Sequence, residues 1–214
     1  MITAPSTPTR DRLIAAGLRL FAERGFLATT VGQIEADAGL QPRRGALYRH
    51  FRSKEALLEA AVRMHIEAVL ASLDEFMDRP RTDVRDEALE LGRIALDALA
   101  AERPVIAVFE NDGERVRHLR HLWRERISEP ANRAMAGIVR RWLGDAARTV
   151  DTARLDAAAM LLLGSLVNVH RSTETFGAPP LGLDDDAAVA AWADFCVVVT
   201  DGLARARPRP HTAG

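Results

Sequence analysis

The stretch at residues 29–55 constrains this 214-residue chain most, because it predicts a short helix that is closed at both ends. Thr30 stands three residues before Gln33, the spacing of a capping box, in which the two side chains satisfy backbone N–H groups reciprocally. Gly39 ends the helix, since glycine adopts the left-handed conformation at a helix C-terminus without a Cβ penalty.

A second short helix is predicted directly after a turn. Residues 46–51 place Leu47 and Phe51 four positions apart, on one inner face, and Ser53 is a predicted cap for a longer third helix. Two short helices around a glycine-containing turn are typical of a helix-turn-helix, whose second helix enters the major groove of DNA.

The motifs of this stretch resemble those of a known family. TTVGQIEADAGL, GALYRHF and SKEALL, with RLIAAGLRLFAERGF at residues 12–26, resemble the N-terminal domain of the TetR family of bacterial transcriptional repressors. The resemblance covers about the first sixty residues, but the turn at residues 41–45 is about two residues longer than is usual in the family.

The resemblance implies an all-α fold of about nine helices. An N-terminal three-helix DNA-binding domain is expected at residues 1–55, and a helical effector-binding and dimerisation domain at residues 56–214. The composition agrees with an all-α fold, because aromatic residues make up only 5% of the chain and β-branched runs are few.

The charge divides between these two parts. Residues 1–60 hold nine Lys/Arg and six Asp/Glu, a balance of +3, and the rest of the chain carries −4 of the total −1. The basic surface that faces phosphate is therefore expected in the first sixty residues.

Cysteine content and hydropathy predict the compartment. The single Cys196 excludes a disulfide framework within the chain and fits a reducing cytoplasm. No basic-plus-apolar leader is visible, and the longest apolar run, residues 157–169, is shorter than the roughly 20 residues that span a bilayer. We expect a soluble, cytoplasmic protein with no membrane partner.

Two sets of DNA contacts are predicted. By resemblance Tyr48, His50 and Lys54 contact phosphate, and Thr30 at a helix N-terminus has chemistry for the same task. Base reading is expected from side chains at the start of the recognition helix, namely Gln41, Arg43, Arg44 and Ala46. The longer turn leaves both arginines ambiguous, because either one can instead grip phosphate.

The resemblance also implies an effector pocket, and its candidate lining residues lie at the centres of the predicted helices of residues 56–214. They are His65, Ile94, Phe109, Leu119, Trp123, Trp142, Met160 and Leu163. Such a mostly apolar set favours a hydrophobic effector, although ordinary core is the alternative for each residue.

The last two long helices are apolar across their middles, which suggests burial on two sides, and related proteins pair them in a dimer. The predicted interface residues are Leu166, Val189, Trp192, Phe195 and Val199. The alternative is that both helices are central core helices of a monomer.

The function that follows is a dimeric repressor that a small, mainly hydrophobic effector releases from a near-palindromic double-stranded operator. His118, His121 and Glu125 share a helical face, so a regulator gated by a metal, or not gated at all, is the alternative. A small metal-dependent helical enzyme is a remote third. No catalytic constellation is recognisable, and no cofactor is expected.

Overall fold

A computed structural model of the protein describes residues 8–79 and 83–205. Within these ranges the chain is helical and contains no strand. The α-helices are α1 (Thr9–Arg24), α2 (Val31–Asp37), α3 (Lys54–Asp78), α4 (Val84–Asp112), α5 (Arg117–Trp123), α6 (Glu129–Leu143), α7 (Thr152–Phe176) and α8 (Asp185–Arg205). Because α5 and α6 continue into each other through a π-helical segment, Arg124–Ser128, the described residues form seven continuous α-helices rather than about nine.

Two departures explain the different count. The predicted recognition helix is a single 3-10 turn, Leu47–Arg49. The sequence also predicts two helices, about residues 82–102 and 105–110, on either side of Pro104, but α4 continues through this proline. An interior proline removes a hydrogen bond and crowds the preceding turn. Val105 and Val108 directly after it are fully buried, and this packing outweighs the local cost.

The chain forms two compact units. The first comprises residues 1–71 and 101–126, and the second comprises residues 72–100 and 127–214. Helices α3 and α4 each contribute residues to both units. The predicted functional boundary at residue 55 divides the chain differently and stays a prediction.

Helix α1 buries the apolar stripe that helical periodicity predicts for its sequence. Leu13, Ala16, Leu20 and Phe21 are all at most 5% exposed. Gly17 lets α3 approach closely, because a Cβ atom at this position would lie 2.5 Å from Cδ2 of Leu57.

The second unit has a continuous apolar core to which α4, α6, α7 and α8 all contribute. Helix α7 packs against both α6 and α8. The indole Nε1 of Trp192 donates to the carbonyl oxygen of Leu162 at 2.9 Å, so the polar edge of this buried ring is satisfied.

Helices α7 and α8 are each long and apolar enough to cross a membrane by length and composition alone. The uninterrupted apolar run at residues 157–169 is only part of α7. Core helices of soluble proteins pass the same test, and both helices place one side in the core of the second unit.

Candidate nucleic-acid interface

The predicted capping box at the start of α2 is confirmed. The backbone N–H of Gln33 donates to Oγ1 of Thr30 at 3.3 Å, and the backbone N–H of Thr30 donates to Oε1 of Gln33 at 2.7 Å. The cap fixes where α2 begins, and the loop that leads to the 3-10 turn follows directly from α2.

The turn between α2 and the 3-10 segment is an irregular loop. Arg43 has φ +64° and Gly45 has φ +71°, so two positions within three residues are left-handed. A left-handed arginine is uncommon, because its Cβ crowds the backbone. The predicted helix over residues 46–51 is thus shortened to one turn, although Leu47 and Phe51 are buried as predicted.

The base-reading candidates lie on the outside of this loop. Gln41, Arg43 and Arg44 are exposed, whereas Ala46 is half-buried and directly precedes the 3-10 turn. The structure brings all four together within one short segment. Their roles toward DNA stay predictions.

The phosphate candidates divide into two kinds. Tyr48, which is 60% exposed, and His50 project from the 3-10 turn and its end. Lys54 instead faces inward, since its Nζ donates to the carbonyl oxygens of Phe26 at 2.5 Å and Thr29 at 2.7 Å. Its ammonium also lies 4.3 Å from the centre of the Phe26 ring. Lys54 therefore fastens the start of α3 to the segment between α1 and α2.

Sequence reasoning missed Glu35, a fully buried carboxylate on α2. Its Oε2 accepts from the backbone N–H of Arg43 at 2.7 Å, and its Oε1 accepts from that of Leu47 at 3.0 Å. The sequence did contain a signal, because Glu35 directly follows the buried Ile34 on a short helix. The long loop after that helix has backbone N–H groups that need acceptors.

Four of the eight effector-pocket candidates lie in the first unit. His65 stacks on Trp123 with ring centres 5.4 Å apart, and Phe109 meets the same indole edge-on at 5.8 Å. Leu119 is buried in the same unit. Burial lowers the pKa of His65, which favours its neutral form, and its buried Nε2 has no hydrogen-bond partner among the described residues.

The other four candidates lie in the second unit and do not form a comparable group. Ile94, Trp142 and Leu163 pack against its apolar core. The Trp142 Nε1 donates to the buried Glu87 at 3.0 Å, so this indole is occupied internally. Met160 is 56% exposed, which does not fit a pocket lining.

Another group that sequence reasoning missed is Glu102 on α4. Burial raises the pKa of this half-buried carboxyl to about 7. No pattern in the sequence distinguishes it from the exposed glutamates around it, because its burial arises from tertiary packing.

The predicted dimer residues need correction. Leu166, Val189 and Trp192 are buried in the chain's own core and present no surface to a partner, whereas Phe195 is 47% exposed and Val199 is partly exposed. One side of α7 and α8 is therefore buried by the core of the second unit, without a partner chain.

The proposed metal ligands form an ordinary exposed helix face. Nε2 of His121 lies 3.0 Å from Oε1 of Glu125, and both side chains are about half exposed. In residues 8–79 and 83–205, no group of three or more His, Cys, Asp or Glu side chains is arranged to hold a metal ion. The metal-gated alternative gains no support from this part of the chain.

The comparisons with known proteins agree with the geometry of residues 13–61, which we call the head. A family model described as bacterial regulatory proteins, tetR family, matches residues 13–61, the segment that contains α1, α2, the loop and the start of α3. Residues 13–61 belong to the TetR family.

Among relatives of the chain is the HTH-type transcriptional repressor KstR2 of Mycolicibacterium smegmatis, which is 28% identical over 121 residues. That match covers 54% of the chain and 58% of the relative, so the chain spans less than two thirds of the relative's length.

Solved structures of similar fold cover nearly the whole chain. The ketosteroid transcriptional regulator KstR2 of Mycobacterium tuberculosis has a TM-score of 0.61 at 18% identity, with 95% of this chain and 98% of that one covered. The fatty acid degradation regulator FadR of Bacillus halodurans has a TM-score of 0.64 at 18% identity, with 90% and 96% covered. At this identity, the likeness establishes the fold alone.

Proposed function

We propose that this chain is a DNA-binding transcriptional regulator, a cytoplasmic dimeric repressor that leaves a near-palindromic operator when a small, mainly hydrophobic effector binds. The observation that carries the proposal is the match of residues 13–61 to the tetR family model, in a segment that also exposes an arginine-containing loop. Relatives named as transcriptional repressors support the same class of function rather than an enzyme.

The loop and the helix termini have chemistry suited to DNA. Arg43 and Arg44 can pair bidentately with guanine and Gln41 with adenine, whereas Tyr48 and His50 can donate to phosphate oxygens. Thr30 lies at the N-terminus of α2, where a backbone N–H can do the same. We assign Lys54 a positioning role, because its ammonium already donates to two backbone carbonyls.

The proposal is tested by fluorescence anisotropy of the full chain on labelled duplexes from upstream of its own gene, beside random duplexes, across a salt series. We expect tight binding to one upstream fragment and weaker binding to random DNA, with both affinities falling as salt rises. An absence of binding at low salt would overturn the proposal.

A second copy of the chain is the proposed partner for the outer sides of α7 and α8. Exposed residues at positions 157, 160, 161 and 164 follow helical spacing on α7, and those at 191, 195, 198 and 202 follow it on α8. Both stripes consist of small and apolar side chains, including Leu161 and Val198, which are 64% and 67% exposed. A dimer would remove this apolar surface from water.

The effector site is proposed around His65, Phe109 and Trp123. The unsatisfied Nε2 of His65 offers one polar anchor within apolar and aromatic walls, which is the usual composition of a small-molecule site. His65 and Lys54 are eleven residues apart on α3, about 16 Å along its axis, and both belong to the first unit. Binding at His65 can therefore shift the head through the helix that Lys54 fastens.

A ketosteroid and a fatty acid are suitable first probes, since two regulators of similar fold are named for ketosteroids and for fatty acid degradation. We expect one of these apolar probes to release the protein from its operator and to quench tryptophan fluorescence. Trp123→Phe should abolish the quenching, and Trp142→Phe should retain it. Quenching that persists in the Trp123 variant would contradict this location.

A further inference from the structure

Glu35 is the most unusual residue of the head, because its carboxylate is completely removed from solvent. Glutamate is almost never fully buried unless hydrogen bonds or opposite charges satisfy it. Its two carboxylate oxygens accept hydrogen bonds from the backbone N–H groups of Arg43, at 2.7 Å, and Leu47, at 3.0 Å. One side chain therefore joins α2 to both sides of the loop.

The two hydrogen bonds hold the loop at the places where it is least stable by itself. Arg43 is left-handed, a conformation that only surrounding structure can impose on a residue with a Cβ atom. Leu47 begins the 3-10 turn, where the first N–H groups have no partner within the helix. Glu35 satisfies one such group and fixes the strained residue four positions earlier.

The loop also needs such an anchor because of its length. It is about two residues longer than is usual in TetR-family heads, and additional loop residues multiply the conformations available to an unanchored chain. The exposed side chains of Gln41, Arg43 and Arg44 all lie on this loop. Whether they meet particular base edges depends on where the loop holds their Cα atoms.

We propose that Glu35 is a positioning residue for sequence reading, whose buried carboxylate sets the loop geometry on which operator selectivity depends. The inference rests on the proposed DNA-binding function and deepens it. Glu35 itself contacts no DNA, so its removal should reduce discrimination between operator and random duplexes more than it reduces attraction to phosphate.

The test compares Glu35→Gln with Glu87→Gln in the full-length chain. Glu87 is a matched control because it is also a buried carboxylate that accepts two side-chain N–H groups, those of Arg141 at 2.5 Å and Trp142 at 3.0 Å, but it belongs to the second unit. Glutamine at position 35 keeps one carbonyl acceptor and turns an amide NH₂ toward the other backbone N–H, so one of the two bonds is lost.

An operator is first selected with the wild-type chain from randomised duplexes, and anisotropy then gives the affinity ratio of operator to random DNA for each variant. We expect Glu35→Gln to lower this ratio by at least about tenfold, with affinity for random DNA nearly unchanged. Glu87→Gln should keep the wild-type ratio, even if its melting temperature falls as much as that of Glu35→Gln.

Hydrogen exchange provides a readout that does not depend on binding. In Glu35→Gln, exchange should accelerate at the amide of Arg43, of Leu47 or of both, and in Glu87→Gln it should accelerate at neither. An unchanged operator ratio in Glu35→Gln, or unchanged protection of both amides, would overturn the inference. A wild-type chain that binds no duplex selectively would overturn the proposed function instead, and the inference with it.

Discussion

At the scale of single residues, the head separates side chains that face outward from side chains that shape the backbone. Arg44 and Tyr48 are exposed, while Glu35, Thr29 and Lys54 satisfy backbone groups. The Oγ1 of Thr29 donates to the carbonyl oxygen of Gly25 at 2.9 Å, which closes the end of α1. These inner residues determine where the outer ones can reach.

Arg44→Ala tests base reading directly. If this guanidinium pairs with a base, the substitution should cost about 1–3 kcal/mol on the operator and relax the preference at one base position. Tyr48→Phe is the comparison, because the loss of one phosphate donor should weaken operator and random DNA alike. Anisotropy on both duplexes measures the difference, and equal losses for Arg44→Ala would assign this arginine to phosphate.

Glu102 predicts a pH dependence of stability. Burial raises the pKa of its carboxyl from 4.5 to about 7 in the native state. Between these values the native chain holds a proton that the unfolded chain releases, so rising pH favours unfolding. We expect this group to lower the free energy of unfolding by roughly 2 kcal/mol from pH 5 to pH 8, less than the full shift because the side chain is partly exposed.

Urea unfolding of Glu102→Gln at both pH values measures this contribution. The variant should lose that part of the pH dependence and gain stability relative to wild type at pH 8. Glu67→Gln, an exposed glutamate in the same unit, is the control and should retain the wild-type dependence. A variant at position 102 with an unchanged pH profile would show that the carboxyl ionises normally.

At the scale of elements, close helix packing depends on individual glycines. A Cβ atom on Gly92 of α4 would lie 2.9 Å from Cγ1 of Val189 and 3.3 Å from the Trp192 ring. A Cβ atom on Gly137 of α6 would instead lie in open space. Alanine at the two positions should therefore distinguish the effect of packing from the effect of helix propensity.

We expect Gly92→Ala to lower the free energy of unfolding by about 1–2 kcal/mol, because overpacking against α8 exceeds the propensity gain. Gly137→Ala should raise it by about 0.5–1 kcal/mol, through propensity alone. Chemical denaturation of both variants gives the comparison. A stabilising Gly92→Ala would mean that α4 and α8 separate easily.

Elements were predictable where local pattern and tertiary packing agree. The stripe of α1 and the capping box of α2 follow from periodicity and spacing alone. Pro104 was misread as a helix end because its local cost is visible in the sequence, whereas the burial of Val105 and Val108 is not. The recognition helix was misread for a related reason, since Glu35 reaches its partners from another element.

The candidate interface on α7 and α8 shows the same limit. Both helices are apolar around much of their circumference, so periodicity does not say which side the chain covers itself. The structure assigns Leu166 and Trp192 to the core and leaves Leu161 and Val198 exposed. The direction of burial is information that arises only when the second unit is assembled.

At the scale of the whole molecule, the charge asymmetry and the exposed apolar stripes point to different partners. Residues 1–60 carry +3 and suit a polyanion, whereas the remainder carries −4 and exposes apolar side chains on two helices. A helix-turn-helix dimer reads two half-sites one helical turn apart, so pairing through α7 and α8 would supply the second head. Dimerisation and operator binding should then fail together.

Val198→Glu tests this link, because a carboxylate at the centre of a buried interface would have no partner and would lose its hydration. We expect the variant to be a folded monomer by light scattering after size-exclusion chromatography, with circular dichroism unchanged. Its operator affinity should fall about 100-fold or more, since each half-site must then be bound separately. Met64→Glu, at an exposed apolar position on α3, is the control and should remain dimeric. A Val198→Glu chain that stays dimeric and binds its operator normally would show that the copies meet elsewhere.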